Sequence, residues 1–247
     1  MEGRSILKIL AIESSNQTMS VATVENGLVV SEYTRNGNLQ HSTQLMPAVE
    51  TVINASNWQP ADLDQVVISK GPGSYTGVRI GATIAKTLAW TLKKPLIPVS
   101  SLKLIASNAL SFEGLIIPVI DARRKNIYAG VYQIEEGQLT SKTADVHAES
   151  EVFFQSLEKE TEPLMFIGQD IPLYKERIQE IFGCRAHFAP PQDWLPRAGN
   201  LAFLAETEVA VDAHIFTPEY LKKPEAEENW QKAHAGEEKG DYVERIN

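Results

Sequence analysis

Apolar positions near the start of the chain follow the two-residue period of β-strands. Residues 6–13 (ILKILAIE) predict a buried strand. The next segment, MSVATVENGLVVSEY, predicts two strands joined by a tight turn at Glu25, Asn26 and Gly27, because Asn-Gly is a strong hairpin signal. The chain should therefore open with three antiparallel strands.

Helical patterns then alternate with short apolar strands. Helices are predicted over 42–57, over 77–93 and from 100 or 101 to 108, with VVISK and LIPVS as the strands between them. Ser42 is the expected N-cap of the first helix, and Pro47 should kink that helix or delay its start. The predicted order is β-β-β-α-β-α-β-α.

The same order begins again after residue 114. The apolar strand LIIPVID is followed by NIYAGVYQIEEGQL, which predicts a hairpin turning at Glu136 and Gly137. Glu13 and Asp121 end equivalent strands at the same distance before a hairpin, which indicates an internal duplication. The remaining elements of the second copy are helices over 149–160, 172–182 and 196–210, strands LMFIG and RAHFA, and turns at Gly168 and Gly183.

This duplication predicts an α/β protein with two lobes, each a mixed sheet flanked by helices, which is the outline of the actin-like, ribonuclease H-like duplicated fold. We place the lobes at 1–110 and 111–216. The tail, 217–247, contains few apolar residues and is expected to be flexible. Ligands of such sheets bind beyond the carboxyl ends of strands, so Glu13 and Asp121 should face the cleft between the lobes.

Composition and charge exclude several classes of protein. The chain has 247 residues, 43% hydrophobic, and its net charge of −9 divides into +1 for residues 1–120 and −10 for the rest. Such a chain lacks the basic footprint of a nucleic-acid-binding protein. The single Cys184 excludes an internal disulfide and is expected to be an inert buried thiol. The lack of a possible disulfide fits a reducing cytoplasm, so we expect a cytoplasmic protein. No apolar run approaches the roughly 20 residues of a transmembrane helix, so we expect no membrane segment.

The clearest local motif is the glycine-rich segment 71–77 between a predicted strand and a predicted helix. Its amides could hold an anion at the start of the helix, or its glycines could serve a structural turn. The spacing GxGxxxG matches neither a Walker loop nor GxGxxG, and it favours the structural turn. The segment consists of Gly71, Pro72, Gly73, Ser74, Tyr75, Thr76 and Gly77.

Other candidate groups give weaker signals. Arg123, Arg124 and Lys125 follow Asp121, where a phosphate loop would have glycines and small hydroxyls. We interpret this basic run as a solvated turn, with an anion site as the open alternative. Candidate nucleophiles that lack a recognisable base motif are Ser14, Ser15 and Ser74. The histidines lack the spacing of metal ligands and are His41, His147, His187, His214 and His234.

The two helices of the first lobe have unusually wide apolar faces. By our count the apolar arc covers roughly 180° of the helix over 42–57 and roughly 200° of the helix over 77–93, about twice what packing on one sheet requires. The surplus predicts a second partner for both helices. That partner is either another part of this chain or another protein.

Several blocks of the sequence together resemble one family. ILAIESSNQTMSVATVENG, GPGSYTGVRIGATIAKTLAW, PVIDARRKNIYAGVY and PEYLKKPEA resemble, in order and spacing, the TsaB (YeaZ) family, and the resemblance runs from Ile6 to Ala226. It implies an actin-like fold and a non-catalytic subunit in the synthesis of threonylcarbamoyladenosine in tRNA. The implied partners are a TsaD-type transferase and a TsaE-type ATPase, with tRNA contacted only through the complex. Without them a homodimer is expected.

The resemblance also assigns residues. At the positions of the His-x-x-x-His metal pair of TsaD this chain has Ser101 and Ile105, so we expect no metal and no cofactor. Arg79 extends the signature loop of 71–77. The implied partner interface lies on the two over-apolar helices and comprises Leu45, Met46, Val49, Ile53, Ile80, Ile84, Thr87 and Leu88.

Two other functions remain open at this point. A peptidase or a weak ATPase of the same fold would turn over casein or ATP, and its activity would be lost on changing Ser14, Glu13 or Asp121. A direct tRNA-binding module would form a salt-sensitive complex with RNA as the isolated chain.

Overall fold

The computed structural model describes residues 7–37 and 40–222, which form two five-stranded mixed sheets. The strand order of the first sheet is β3-β2-β1-β4-β5, with β4 and β5 parallel to β1 and β2 antiparallel to β1 and β3. Its strands are β1 (Lys8–Glu13), β2 (Met19–Glu25), β3 (Leu28–Arg35), β4 (Gln65–Ser69) and β5 (Leu96–Val99). The helices of this half are α1 (His41–Ala55), α2 (Tyr75–Leu92) and α3 (Ser101–Ala106).

The second sheet repeats this arrangement. Its strands are β6 (Leu115–Arg123), β7 (Asn126–Glu135), β8 (Gln138–Glu149), β9 (Leu164–Ile167) and β10 (Ala186–Phe188). Their order, β8-β7-β6-β9-β10, matches the first sheet strand for strand, including the parallel pairs. The helices are α4 (Ser150–Ser156), α5 (Lys175–Phe182) and α6 (Ala198–Leu204). The predicted duplicated α/β fold is therefore confirmed.

Both predicted hairpin turns are present and have the same backbone geometry. Asn26 and Gly27 have φ values of 50° and 81°, and Glu136 and Gly137 have values of 51° and 79°. Two successive residues at positive φ match the right-handed twist of the strands that they join. The duplication thus extends to the turn of each hairpin.

Three apolar cores hold the elements together. Helices α1 and α2 cover one face of the first sheet, and α4 and α5 cover the outer face of the second sheet. The third core lies between the two sheets and includes α3 and α6. The cleft between the sheets is therefore built on a shared core.

The last helix crosses to the first sheet. The amide of Ala198 donates to Ser20 Oγ at 2.9 Å, and Arg197 forms an ion pair with Glu32 at 2.8 Å. A division of the chain at residue 110 therefore leaves one helix of the second segment on the first sheet. The proposed lobe boundaries themselves stay a prediction.

The start of α1 differs from the prediction. Gln40, not Ser42, is the N-cap, and the helix continues through Pro47, so a delayed start is wrong. Leu45 and Val49 on either side of the proline are fully buried. Their packing against the sheet offsets the backbone hydrogen bond that proline cannot make.

The helices of the second half are shorter than predicted. α4 ends at Ser156, while α5 begins at Lys175 and α6 ends at Leu204, because single 3-10 turns occupy 171–173 and 205–207. Cys184 lies in another such turn at the end of α5 and is exposed. The prediction of a buried thiol is therefore wrong.

The described part of the predicted tail contacts the first half of the chain. The amide of Glu219 donates to the carbonyl of Lys70 at 2.8 Å, and the two side chains form an ion pair at 2.8 Å. The ring of Tyr220 packs on Tyr75 at 5.3 Å. Residues 223–247, where most of the predicted flexible tail falls, lie outside the described residues.

None of the helices within 7–37 and 40–222 has the length and hydrophobicity of a membrane-spanning segment.

Candidate functional site

The glycine-rich loop packs directly on the chain that follows β1. A methyl group at Gly73 would overlap the backbone carbonyl of Ser15, and one at Gly77 would overlap the carbonyl of Ser14. At Gly81 a methyl group would overlap the Ser14 hydroxyl. The glycine spacing is thus explained by the close approach of α2 to β1, which supports the structural-turn interpretation.

The same loop sets the start of α2. The amide of Ser74 donates to the carbonyl of Ser15 at 2.7 Å, and Ser74 Oγ accepts from the amide of Gly77 at 3.4 Å. This cap starts the helix at Tyr75, earlier than predicted. The guanidinium of Arg79 lies over the Tyr75 ring at 5.0 Å, so the first turn presents a paired cation and aromatic ring at the surface.

Contrary to the prediction, Glu13 does not line the cleft between the sheets. Its side chain is fully buried, and its Oε1 accepts hydrogen bonds of 2.6 Å from both the amide and the hydroxyl of Ser15. Burial raises the pKa of Glu13, and the hydrogen bonds from Ser15 only partly oppose this effect. Glu13 is therefore a structural residue beneath the loop.

Asp121 does line the cleft, which has a volume of about 350 Å³. Its Oδ1 accepts from the hydroxyl of Tyr174 at 2.8 Å, and its amide donates to Asp170 Oδ2 at 2.8 Å. Burial raises the pKa of Asp170. Burial together with the Asp121 hydrogen bond raises the pKa of Tyr174. The acids of the cleft are thus held in fixed contacts with neighbouring groups.

The three candidate nucleophiles have structural roles. Ser14 Oγ donates to the carbonyl of Gly77 at 2.9 Å, and Ser15 Oγ donates to Glu13. Both serines are buried, while Ser74 caps α2. This arrangement gives no support to a serine hydrolase.

The positions that correspond to the metal pair of the transferase lie on α3. Ser101 and Ile105 are both buried, and Ile105 forms part of the cleft wall. Within the described parts of the chain, no three His, Cys, Asp or Glu side chains are close enough together to hold a metal ion.

The predicted partner interface is only partly at the surface. Three of its members on α1 are buried against the sheet of this chain, namely Leu45, Val49 and Ile53. These three side chains offer almost no surface to a partner, because α1 packs its apolar face on the first sheet, and the interface itself stays a prediction. Met46 is 46% exposed and Thr87 is exposed. The half-buried members on α2 are Ile80, Ile84 and Leu88.

Two exposed aromatic side chains of α2 were missed from the sequence. Trp90 is 62% exposed at the end of α2, where its ring contacts that of His214, and Tyr75 is 60% exposed at the start. Both lie outside the apolar arc, so their only sequence signal was a large aromatic residue on a polar helix face. Both rings therefore lie beside the described end of the chain, on the side of α2 away from Ile84.

Comparison with known proteins identifies the family to which this chain is similar. The model of the TsaD family, described as tRNA N6-adenosine threonylcarbamoyltransferase, matches residues 9–230. The tRNA threonylcarbamoyladenosine biosynthesis protein TsaB of Bacillus subtilis is 40% identical over 224 residues, 91% of this chain and 98% of the relative. A tRNA N6-adenosine threonylcarbamoyltransferase of Prosthecochloris aestuarii is 31% identical over 39% of this chain and 32% of its own length. The solved structure of YeaZ from Pseudomonas aeruginosa superposes with a TM-score of 0.71 at 25% identity, covering 87% of this chain and 100% of that one.

Proposed function

Because the chain belongs to the TsaB family of tRNA threonylcarbamoyladenosine biosynthesis proteins, we propose that it is a non-catalytic subunit that binds and supports a TsaD-type transferase. The observation that carries this proposal is the row of half-exposed apolar side chains along α2. The match to the transferase family model supports it, because the chain and the transferase are then built on related domains.

The chemistry of this surface suits a protein partner. Ile80, Ile84 and Leu88 lie one helical turn apart and are only half-buried, and Met46 of α1 is exposed beside the same core. Burying the remaining exposed part of each aliphatic side chain against a partner contributes about 1 kcal/mol to the free energy of binding. Thr87 and the other exposed threonines of α2 are small enough to allow close approach of a second helix.

A supporting role also agrees with the interior of the cleft. The hydroxyls that could act as nucleophiles are engaged in hydrogen bonds to the backbone or to a buried acid, Glu13. Ile105 has no donor atom for a metal. In this proposal the transfer of the threonylcarbamoyl group therefore takes place on the partner.

Further parts of the proposal concern the larger assembly. A TsaE-type ATPase joins the pair, tRNA is contacted through the complex, and the same α1 and α2 surface forms a homodimer when the partner is absent. The assembly operates in the cytoplasm. Light scattering of the isolated chain tests the homodimer directly.

The proposed interface is tested by co-elution with the TsaD-type protein of the same organism on size exclusion. Ile84→Asp places a charge in the apolar row, and Thr87→Arg adds bulk and charge at an exposed position that leaves the core untouched. Val152→Asp is the matched control, because Val152 is 58% exposed on α4 over the second sheet. Circular dichroism verifies folding of each variant.

We expect both α2 variants to elute apart from the partner, with affinity reduced at least tenfold, and Val152→Asp to co-elute. Co-elution of a folded Thr87→Arg variant with unchanged affinity shows that the interface lies elsewhere. Failure of the unsubstituted chain to bind the transferase refutes the proposed function.

A further inference from the structure

The turn between β6 and β7 presents three adjacent cations in an unusual backbone conformation. Arg123, Arg124 and Lys125 have φ values of 70°, 52° and 63°. Left-handed conformations are disfavoured for residues with a Cβ atom, and glycine and asparagine tolerate them best. Three consecutive long side chains in this region therefore cost free energy that a glycine-containing turn would avoid.

Hydrogen bonds hold the backbone of this turn in place. Asn126 Nδ2 donates to the carbonyl of Arg124 at 3.0 Å, and the amide of Ser150 donates to the carbonyl of Lys125 at 2.8 Å. The amide of Arg123 donates to Asp121 Oδ1 at 3.3 Å. The cationic side chains therefore extend from a fixed base.

The charge of the turn is opposite to that of the surrounding sequence. It lies in the half of the chain whose net charge is −10, yet all three of its side chains are exposed cations. The Arg123 side chain is 83% exposed, and its ion pair with Asp121 is 3.6 Å long. Exposed ion pairs of this kind contribute little to stability, so the Arg123 guanidinium keeps its capacity to bind another anion.

Arg123 lies between two cavities that face polar groups of the first half. The cleft of about 350 Å³ and a second cavity of about 460 Å³ are both lined by Arg123, Asn16, Gln17 and Ser74. The cleft also contains two acids, whereas the described residues that line the second cavity, beside the starts of α1 and α2, include no acid. Amide and hydroxyl groups next to an arginine are typical contacts of phosphate oxygens.

From these observations we propose that the 123–125 turn and the second cavity bind the phosphate backbone of RNA within the assembled complex. This inference rests on the proposed function, which brings tRNA to that complex. Adjacent cations on a rigid turn suit the regularly spaced charges of a nucleic-acid strand. The net charge of −9 opposes RNA at long range, so the contact forms after the partner has captured the tRNA.

The test measures binding of unmodified tRNA to the complex of this chain with the TsaD-type protein, by fluorescence anisotropy from 50 to 300 mM salt. The variant Arg123→Gln/Lys125→Gln removes two cations of the turn. The control Lys159→Gln/Lys175→Gln removes two exposed cations that line neither cavity. Size exclusion first establishes that every variant forms the complex, and ATP binding is measured in parallel.

We expect the turn variant to bind tRNA roughly tenfold more weakly at 100 mM salt, and its slope of log Kd against log salt to fall by about two relative to the control. Equal affinities and equal slopes for an intact complex overturn the inference while leaving the proposed function standing. Loss of ATP binding with unchanged tRNA binding also overturns it, since the phosphate would then belong to a nucleotide. If the unsubstituted chain forms no complex, the proposed function fails, and the inference fails with it because the contact is placed within that complex.

Discussion

Tyr132 donates a hydrogen bond of 2.5 Å to Asp145, and the same carboxylate accepts a hydrogen bond from Ser100. Tyr132 and Asp145 belong to neighbouring strands of the second sheet, whereas Ser100 follows the last strand of the first sheet and caps α3. Gly130 leaves room for the contact, because a methyl group there would lie 2.5 Å from Asp145 Oδ1. One carboxylate thus joins the two sheets beside the cleft.

Removal of this carboxylate should weaken the junction between the sheets. Asp145→Ala leaves the hydroxyl of the buried Tyr132 without its acceptor, and we expect the free energy of unfolding in urea to fall by about 2–3 kcal/mol. Asp145→Asn keeps an acceptor for Tyr132 and should cost about 1 kcal/mol. Equal stabilities of the alanine and wild-type chains would show that the contact carries no net energy.

The buried acid beneath the glycine-rich loop should make stability depend on pH. Burial raises the pKa of Glu13 above its ordinary 4.5, so the folded state holds the proton more tightly than the unfolded state does. The resulting stabilisation is complete below pH 4.5 and is lost as the pH rises through the folded-state pKa. Glu13→Gln removes this effect and still accepts hydrogen bonds from Ser15.

Urea unfolding of the wild-type chain and of Glu13→Gln at several pH values checks the direction in which stability changes with pH. The stability of the wild-type chain, relative to Glu13→Gln, should decline as the pH increases from 4.5. Parallel profiles for the two proteins would mean that Glu13 has the same pKa in the folded and unfolded states.

A single methyl group in the signature loop should destabilise the fold. Helix propensity alone predicts that Gly77→Ala gains up to about 1 kcal/mol, because alanine is the better helix former. Overlap with the Ser14 carbonyl predicts a loss of about 2–3 kcal/mol instead. The neighbouring Thr76→Ala is the control, since Thr76 is exposed. Thermal unfolding distinguishes the two signs, and a stabilised Gly77→Ala chain would contradict the packing argument.

The exposed thiol at the end of α5 should react in the native state. Cys184 is the only cysteine of the chain and lies at the surface, so an aromatic disulfide reagent should label one thiol per chain without denaturant. Cys184→Ser should abolish labelling and change the unfolding free energy by less than about 0.5 kcal/mol. Labelling that requires urea would show that the thiol is covered in solution.

The sequence by itself determined the elements and their duplication. Hairpins at Asn26–Gly27 and Glu136–Gly137 depend on backbone preferences of the residues themselves, which act within a few positions along the chain. The glycine spacing of the signature loop likewise predicted a structural turn. These features are local, so they could be predicted without knowing what lies beside them.

Only the tertiary structure decided which surfaces and charges are available. The apolar arc of α1 indicated a partner but could not show that the sheet of the same chain buries Leu45 and Val49. The contact of Ala198 with Ser20 joins residues 178 positions apart, and the glycine-rich loop that begins at residue 71 likewise packs on the distant Ser14 and Ser15. Burial and pKa arise from packing between distant segments, and a periodic pattern carries no information about which segments meet.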